Sequence, residues 1–260
     1  MHKQMIAAGA VLALGTAANA DLLWDAGQGH HGMDPDRQGL ITHFGTAPGG
    51  ADSSVIGDPA TSFGGNWTQA GDDDHHRRAD SFIVGDAPGW YVDSITVYGY
   101  VTGGDVTGNP FGSFNINVWD DSPDQGNLVG SSTDYLTPEF TGIYRQSSSN
   151  FPDNDARGIF AITLTFDDAL ELSTGEYWWD VQHQGENTAW MPVLTDVDGD
   201  GNPITPEGHS MHFGSDGWNT PDSGDQTYSL PAQVNGSIIP APGALALLGL
   251  AGLVGSRRRR

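Results

Sequence analysis

The chain has 260 residues, 33 of them Asp or Glu against 10 Lys or Arg, for a formal net charge of −23, and it contains no cysteine. The missing cysteine excludes a disulfide scaffold, a thiol nucleophile and any Cys-ligated zinc or iron–sulfur site. The surplus of carboxylates repels phosphate backbones and anionic membranes, which excludes nucleic acid as a partner, while 10% aromatic residues supply material for a core.

Residues 1–20 read as a secretory signal peptide. Lys3 gives a positive start, Met5 to Gly15 is an uninterrupted apolar run, and Ala18-Asn19-Ala20 supplies small residues for cleavage after Ala20. The mature chain then begins at Asp21.

Residues 21–78 are rich in Gly, Asp and His, with weak strand patterns at Leu22 to Trp24 and Leu40 to Phe44. They are expected to form a loop-rich N-terminal segment packed loosely on the rest. The run Asp72-Asp73-Asp74-His75-His76-Arg77-Arg78 reads as a solvated loop, because so many charges are costly to bury without partners.

Residues 79–237 show no helical periodicity and several runs of period-two alternation between Gly, Asp, Asn and Pro clusters. Asp93 to Val101 sets Ile95, Val97 and Val101 against Thr96, Tyr98 and Tyr100. Ser113 to Trp119 sets Phe114, Ile116 and Val118 against Asn115, Asn117 and Trp119. Ile159 to Phe166 places Phe160, Ile162, Leu164 and Phe166 on one face. Glu176 to His183 sets Tyr177, Trp179 and Val181 against Trp178, Asp180 and Gln182. One apolar face per strand predicts an all-β domain, an antiparallel two-sheet sandwich of jelly-roll type.

Tyr98, Tyr100, Trp119 and Trp178 lie opposite the aliphatic faces. Exposed, they would stack sugar rings and form a carbohydrate-binding face. Covered by the N-terminal segment or a long loop, they would be core, the commoner fate of large aromatics.

Asp196-Val197-Asp198-Gly199-Asp200-Gly201, with Asn202 next and Glu207 at the twelfth position, matches the order of a calcium loop. Asp196, Asp198, Asp200 and Glu207 would supply carboxylates and Asn202 a backbone carbonyl. Pro203 and Pro206 stand where the helix leaving such a loop should begin, so the competing reading is an acidic inter-strand loop. The histidines form no H-E-x-x-H helix, and His209 and His212 would point to opposite faces of a strand. There is no G-x-S-x-G elbow and no phosphate-cradling glycine loop.

Residues 238–260 carry Ile239-Pro240-Ala241-Pro242, the apolar run Gly243 to Gly255, and Arg257 to Arg260. Thirteen residues of helix reach about 20 Å, short of a ~30 Å hydrocarbon core. A proline-marked site, a short apolar stretch and a basic end together read as a processed sorting signal. This tail resembles that of PEP-CTERM proteins, with Ala241 where Glu is usual between the prolines. The resemblance implies recognition by an exosortase-type sorting protease, cleavage near Pro240 to Pro242, membrane contact only through the tail before processing, and delivery to the cell surface or an extracellular matrix.

A second resemblance rests on Ala79-Asp80-Ser81-Phe82, Asp93-Ser94-Ile95-Thr96-Val97-Tyr98-Gly99-Tyr100 and Gly175-Glu176-Tyr177-Trp178-Trp179. These stretches are similar to a recurring secreted bacterial β-sandwich module, which implies the fold and no activity. With both ends removed, 33 carboxylates face only Arg37, Arg77, Arg78, Arg145 and Arg157. Such a domain suits salty or cation-rich surroundings, where screening relieves self-repulsion. Two functional readings follow: an exported binding or structural module, with exopolysaccharide as a partner and calcium as a stabiliser, or a polysaccharide-active hydrolase or lyase on the same scaffold.

Overall fold

The computed structural model describes residues 20–26, 39–57, 64–69, 75–220 and 227–241. The signal peptide before Ala20 and the tail from Pro242 onward lie outside them. Over the described residues the chain is nearly all-β, 58% strand and 2% helix, with one large curled sheet. Among the described residues, no helix is long and apolar enough to cross a membrane.

Two long strands carry the architecture. β5 (Arg77–Val101) and β9 (Gly158–Gln184) pair antiparallel from Arg78↔Val181 at one end to Gly99↔Phe160 at the other. The pairing shifts register twice, between Val84 and Gly89 and between Val92 and Ser94. At the first shift β5 carries the extra residues Gly85 to Pro88. At the second, β9 carries Phe166 to Ala169. Each insertion behaves as a large bulge, which bends a strand without ending it.

The bulges divide the pair into two halves with different neighbours. β6 (Ser113–Trp119) pairs with the C-terminal part of β9, and β7 (Leu128–Ser132) pairs with β6. β13 (Met211–Gly214), with its hairpin partner β14 (Gly217–Asn219), pairs with the start of β5. Around the other half, β15 (Ala232–Ile238) pairs with β5 and β1 (Asp21–Asp25) pairs with β15. β8 (Glu139–Gln146) pairs with the N-terminal part of β9, and β2 (Asp52–Val55) lies parallel to β8. The short strands β3 (Gly65–Asn66), β4 (Thr68–Gln69) and β10 (Ala189–Met191) complete the sheet, and β11 (Asp196–Val197) and β12 (Pro203–Ile204) form a separate hairpin.

The inner faces of both halves meet in one core. Phe82, Phe114, Ile116, Trp179 and Val181 come from one half and Ile95, Val97, Ile162, Leu164 and Val234 from the other, all 0 or 1% exposed. All but Phe82 and Val234 lie on the alternating apolar faces read from the sequence. Burying a side chain of this size contributes about 1.5–3 kcal/mol.

The strands expected within residues 21–78 join the main sheet instead of lying loosely against it: β1, β2, β3 and β4 belong to the sheet itself, and Leu40 and Ile41 pack with Tyr98, Ile143 and Ile159 in a second apolar cluster. The second half of β5 is therefore buried on both faces. Arg77 and Arg78 also depart from the solvated loop expected of residues 72–78. They begin β5, and Arg78 is 6% exposed. Burial is possible because each has partners: Arg77 pairs with Asp180, and Arg78 donates to the carbonyl of Asn66 at 2.9 Å. Asp72 to Asp74 lie outside the described residues.

Because Ile162 sits at the centre of the core, Ile162→Ala should destabilise the protein by about 2–5 kcal/mol. Leu128→Ala, on the exposed edge strand, should stay within about 0.5 kcal/mol. Urea unfolding followed by tryptophan fluorescence measures both.

Candidate functional site

The outer face of the β6–β9 half is polar yet buried. Asp180 is fully buried, Gln182 is 5% exposed and Trp178 is 8% exposed. The Asp180 carboxylate forms an ion pair with Arg77 and accepts hydrogen bonds from Asn117 Nδ2 at 3.1 Å and Trp119 Nε1 at 2.6 Å. Gln182 Oε1 accepts from Asn115 Nδ2 and from Arg77 Nη1, both at 3.3 Å, and Gln182 Nε2 donates to the carbonyl of His76. A buried charge is tolerable only when such donors replace its water. Here they come from β5 and β6, the two strands on either side of β9, with Asn117 lying opposite Asp180 and Asn115 opposite Gln182.

This network forms the underside of a cleft of about 690 Å³. Arg77, Asn115 and Asn117 line its floor. One wall is Ser131, Ser132, Thr133 and Asp134, where the chain leaves β7 and crosses to β9. That crossing is fixed by Thr165 N–H donating to the Asp134 carbonyl and Leu136 N–H donating to the Thr163 carbonyl. The opposite wall is Phe166, Asp167 and Asp168, three of the residues that β9's bulge releases from pairing, followed by Leu170. Gly130 lets the walls close together, since a Cβ there would lie 2.5 Å from Leu170 Cδ2. The volume lies in the range of small-ligand sites.

The amides on the floor have a defined orientation. Each donates through Nδ2 to the buried network, Asn115 to Gln182 and Asn117 to Asp180, which fixes where its side chain stands. Above them the cleft presents the rim carboxylates of Asp134, Asp167 and Asp168 beside the hydroxyls of Ser131, Ser132 and Thr133, which both donate and accept.

A second, smaller pocket of about 210 Å³ lies on β5 and is lined by Trp24, Asp80, Ser81, Glu207 and His209 among others. Ser81 Oγ and His209 Nε2 are 2.6 Å apart, and the same nitrogen is 3.5 Å from Asp80 Oδ1. Burial pushes the Asp80 carboxyl up to about 6, against the opposing pull of the Leu230 and Ser81 N–H groups, His209 and Ser229. Asp80 and Ser81 thus address one ring nitrogen. The carboxylate of a Ser-His-Asp triad instead holds the other nitrogen and fixes the tautomer.

The residues singled out in the sequence have different fates. Tyr98 and Tyr100 are 2% and 1% exposed, Tyr98 beneath Leu40 and Ile41, so neither presents a ring to solvent and the sugar-stacking face does not form on them. Their phenols are pushed upward by burial. Trp178 packs its ring against His209, and Trp119 is held by Asp180. Neither lines the large cleft.

In the acidic loop, Asp196 lies in β11 and is 4% exposed, and its carboxylate accepts the Val197 N–H. The Asp198 carboxylate is used by its own turn, accepting from the N–H groups of Asp200 and Asn202 and from Asn202 Nδ2. Glu207 bridges Tyr228 through the backbone and lines the smaller pocket. Among the described residues no group of three or more His, Asp or Glu side chains is gathered to hold a metal ion. His209 and His212 go to separate partners, His209 to Ser81 and His212 to His76 at 2.8 Å.

The cleft itself was not anticipated from the sequence. One signal was available: Asn115 and Asn117 alternate with apolar residues on β6, and Asp180 and Gln182 do the same on β9.

No protein-family model matches the chain, and no curated protein matches it. Two solved structures show partial similarity. The cysteine protease and lectin-like domains of Cwp84, a surface layer associated protein of Clostridium difficile, align with a TM-score of 0.36 and 10% identity over 62% of this chain and 32% of that one. The Clostridial cysteine protease Cwp84 after propeptide cleavage aligns with a TM-score of 0.35 and 11% identity over 62% of this chain and 36% of that one. The chain thus spans about a third of the length of either, and scores at this level do not establish a shared fold.

Two buried groups, Asp80 and His183, generate a pH prediction. Asp80 has its pKa raised from 3.8 to about 6, so its stabilising contribution is full below 3.8 and lost as pH rises through 6. His183, pushed down to about 4 by burial, acts in the opposite sense: its contribution is present above 6.5 and lost as pH falls through 4. The other groups around Asp80 are His209 and Glu207. Asp80→Asn should remove the first slope alone, so the urea midpoint of wild type relative to the variant should fall between pH 4 and pH 7. A difference constant across that range would contradict it.

Proposed function

We propose that this is an exported binding module that works at the cell surface or in an extracellular matrix, with the cleft between β7 and the bulge of β9 as its working part. The observation that carries the reading is the oriented floor of that cleft. A buried ion pair and amide network holds Asn115 and Asn117 still, and preorganised polar groups in an open cleft are what recognition without chemistry requires. The fold belongs to the same proposal: a two-sheet sandwich of jelly-roll type, supported by the shared core of the two halves of the β5–β9 pair. Export rests on the signal-like sequence ending at Ala20. Surface placement rests on the PEP-CTERM-like tail with Pro240, Ala241 and Pro242 and on the exosortase-type protease it implies.

One observation favours an enzyme instead. Asp80, with its raised pKa, shares a pocket with Glu207 and His209, and perturbed carboxyls cluster at catalytic sites. The readings part on a single experiment with the full chain expressed in an exosortase-bearing host. A binding module reaches the surface, loses that placement when residues 239–260 are deleted, and retains polysaccharide without freeing reducing ends. Released reducing ends would overturn the non-catalytic reading, and unchanged placement of the truncated chain would overturn the sorting one.

Calcium at Asp196, Asp198, Asp200, Asn202 and Glu207 completes the proposal. It is supported by residue order and by the fit of a hard cation to oxygen donors. Asp198 has a role in its own turn, so Asp200→Ala is the cleaner variant. Wild type should melt lower in EDTA and recover in millimolar Ca²⁺, and Asp200→Ala should lose that response. An unresponsive wild type removes calcium.

A further inference from the structure

We propose that the β7–β9 cleft selects glycans that are neutral or carry amino groups and rejects those carrying carboxylate or sulfate. This rests on the binding-module reading and assigns its ligand class.

Asn115 and Asn117 are held from below, each donating through Nδ2, one to Gln182 and one to Asp180, and Ser131, Ser132 and Thr133 bring hydroxyls that both donate and accept. Arg77 lines the cleft, yet its charge is matched by the buried carboxylate of Asp180, so it does not make the site cationic. Asp134, Asp167 and Asp168 add further acceptors at the rim. The rim carboxylates can only accept, so a ligand that fits them brings donors and is not an anion. Hydroxyl groups of a sugar, or the ammonium of an amino sugar, meet that requirement. A phosphate, sulfate or uronate meets the acceptors with acceptors and adds like-charge repulsion.

The apolar part of the lining agrees. Phe166 is half-buried against the core with Leu170 beside it, and both belong to the wall that the bulge of β9 builds. An aromatic ring opposite a floor of polar groups suits a flat ring with one apolar face and hydroxyls at its edge. A fully apolar ligand would strand the floor amides, and a wholly polar solute would gain nothing from Phe166.

The test is isothermal titration of the full-length protein with three soluble oligomers of matched length: a neutral β-glucan oligomer, a chitosan oligomer and an alginate oligomer. Two variants are run beside wild type. Phe166→Ala removes the apolar wall, and Asp168→Lys reverses a rim charge at an exposed position. The neutral or the chitosan oligomer should bind wild type, alginate should not, and each variant should weaken the binding about tenfold, the equivalent of one lost contact. Alginate binding as tightly as the other two overturns the ligand class. Binding that survives in both variants overturns the site while leaving a binding module. Failure of wild type to bind any of the three overturns the ligand class, and if polysaccharide is also not retained on an affinity gel, the binding-module reading falls with it. A circular-dichroism melt of each variant distinguishes a lost site from a lost fold.

Discussion

Everything described here hangs on the antiparallel pairing of β5 with β9. Both strands run through both halves of the sheet, so the pairing places the inner faces of those halves against each other and builds one core rather than two. The flanking strands then have no freedom of register. β6 and β8 read their positions from β9, and β13 and β15 read theirs from β5. A slip of one residue in the central ladder would turn Trp179 and Val181 outward and bring Asp180 into the apolar core. The contacts join distant parts of the chain, so the loop-closure entropy is spent before the core rewards it.

The same register produces the site. Asp180 is buried on the outer face because Asn117, Trp119 and Arg77 reach it from strands on either side, and their convergence is a property of the ladder rather than of any local motif. The bulge in β9 does the complementary work. Four residues leave the pairing, and what the sheet loses in hydrogen bonds it gains as a wall with an aromatic ring and two carboxylates. Floor and wall therefore share one origin. Alteration of the central pairing would disturb recognition and stability together.

How much of this was legible in the sequence varied with the length scale of the physics involved. Period-two alternation placed Ile95, Val97, Ile116, Val118, Ile162, Leu164, Trp179 and Val181 on the core side, because a pleated strand with one apolar face leaves that trace in any sequence. It did not show that the runs ending at Phe166 and beginning at Glu176 are one strand, because Asp167 and Asp168 have the composition of a turn whether the chain reverses or bulges. Nor did it show that Tyr98 and Tyr100 are covered, since that depends on where Leu40 and Ile41 are carried by distant pairing. Arg77 looked like a solvated charge for the same reason: its partner lies more than a hundred positions away. The Asp196 to Glu207 run is the reverse case. Its order suggests a metal site, while its backbone closes a hairpin in which Asp198 caps the turn, and composition alone does not separate the two.

The position of β15 has a mechanical consequence. It is the last strand among the described residues and lies in the interior of the sheet, paired from Ala232 to Ile238 with β5 on one side and from Gln233 to Gly236 with β1 on the other. A protein held by its C-terminal end in a moving or dragged matrix would transmit load through Ile238 and along this strand. Load parallel to antiparallel ladders strains many hydrogen bonds at once instead of opening them one by one. Under such a load the sheet would shear at β15 rather than unzip, and the cleft, on the far side of the β5–β9 pair, would keep its shape.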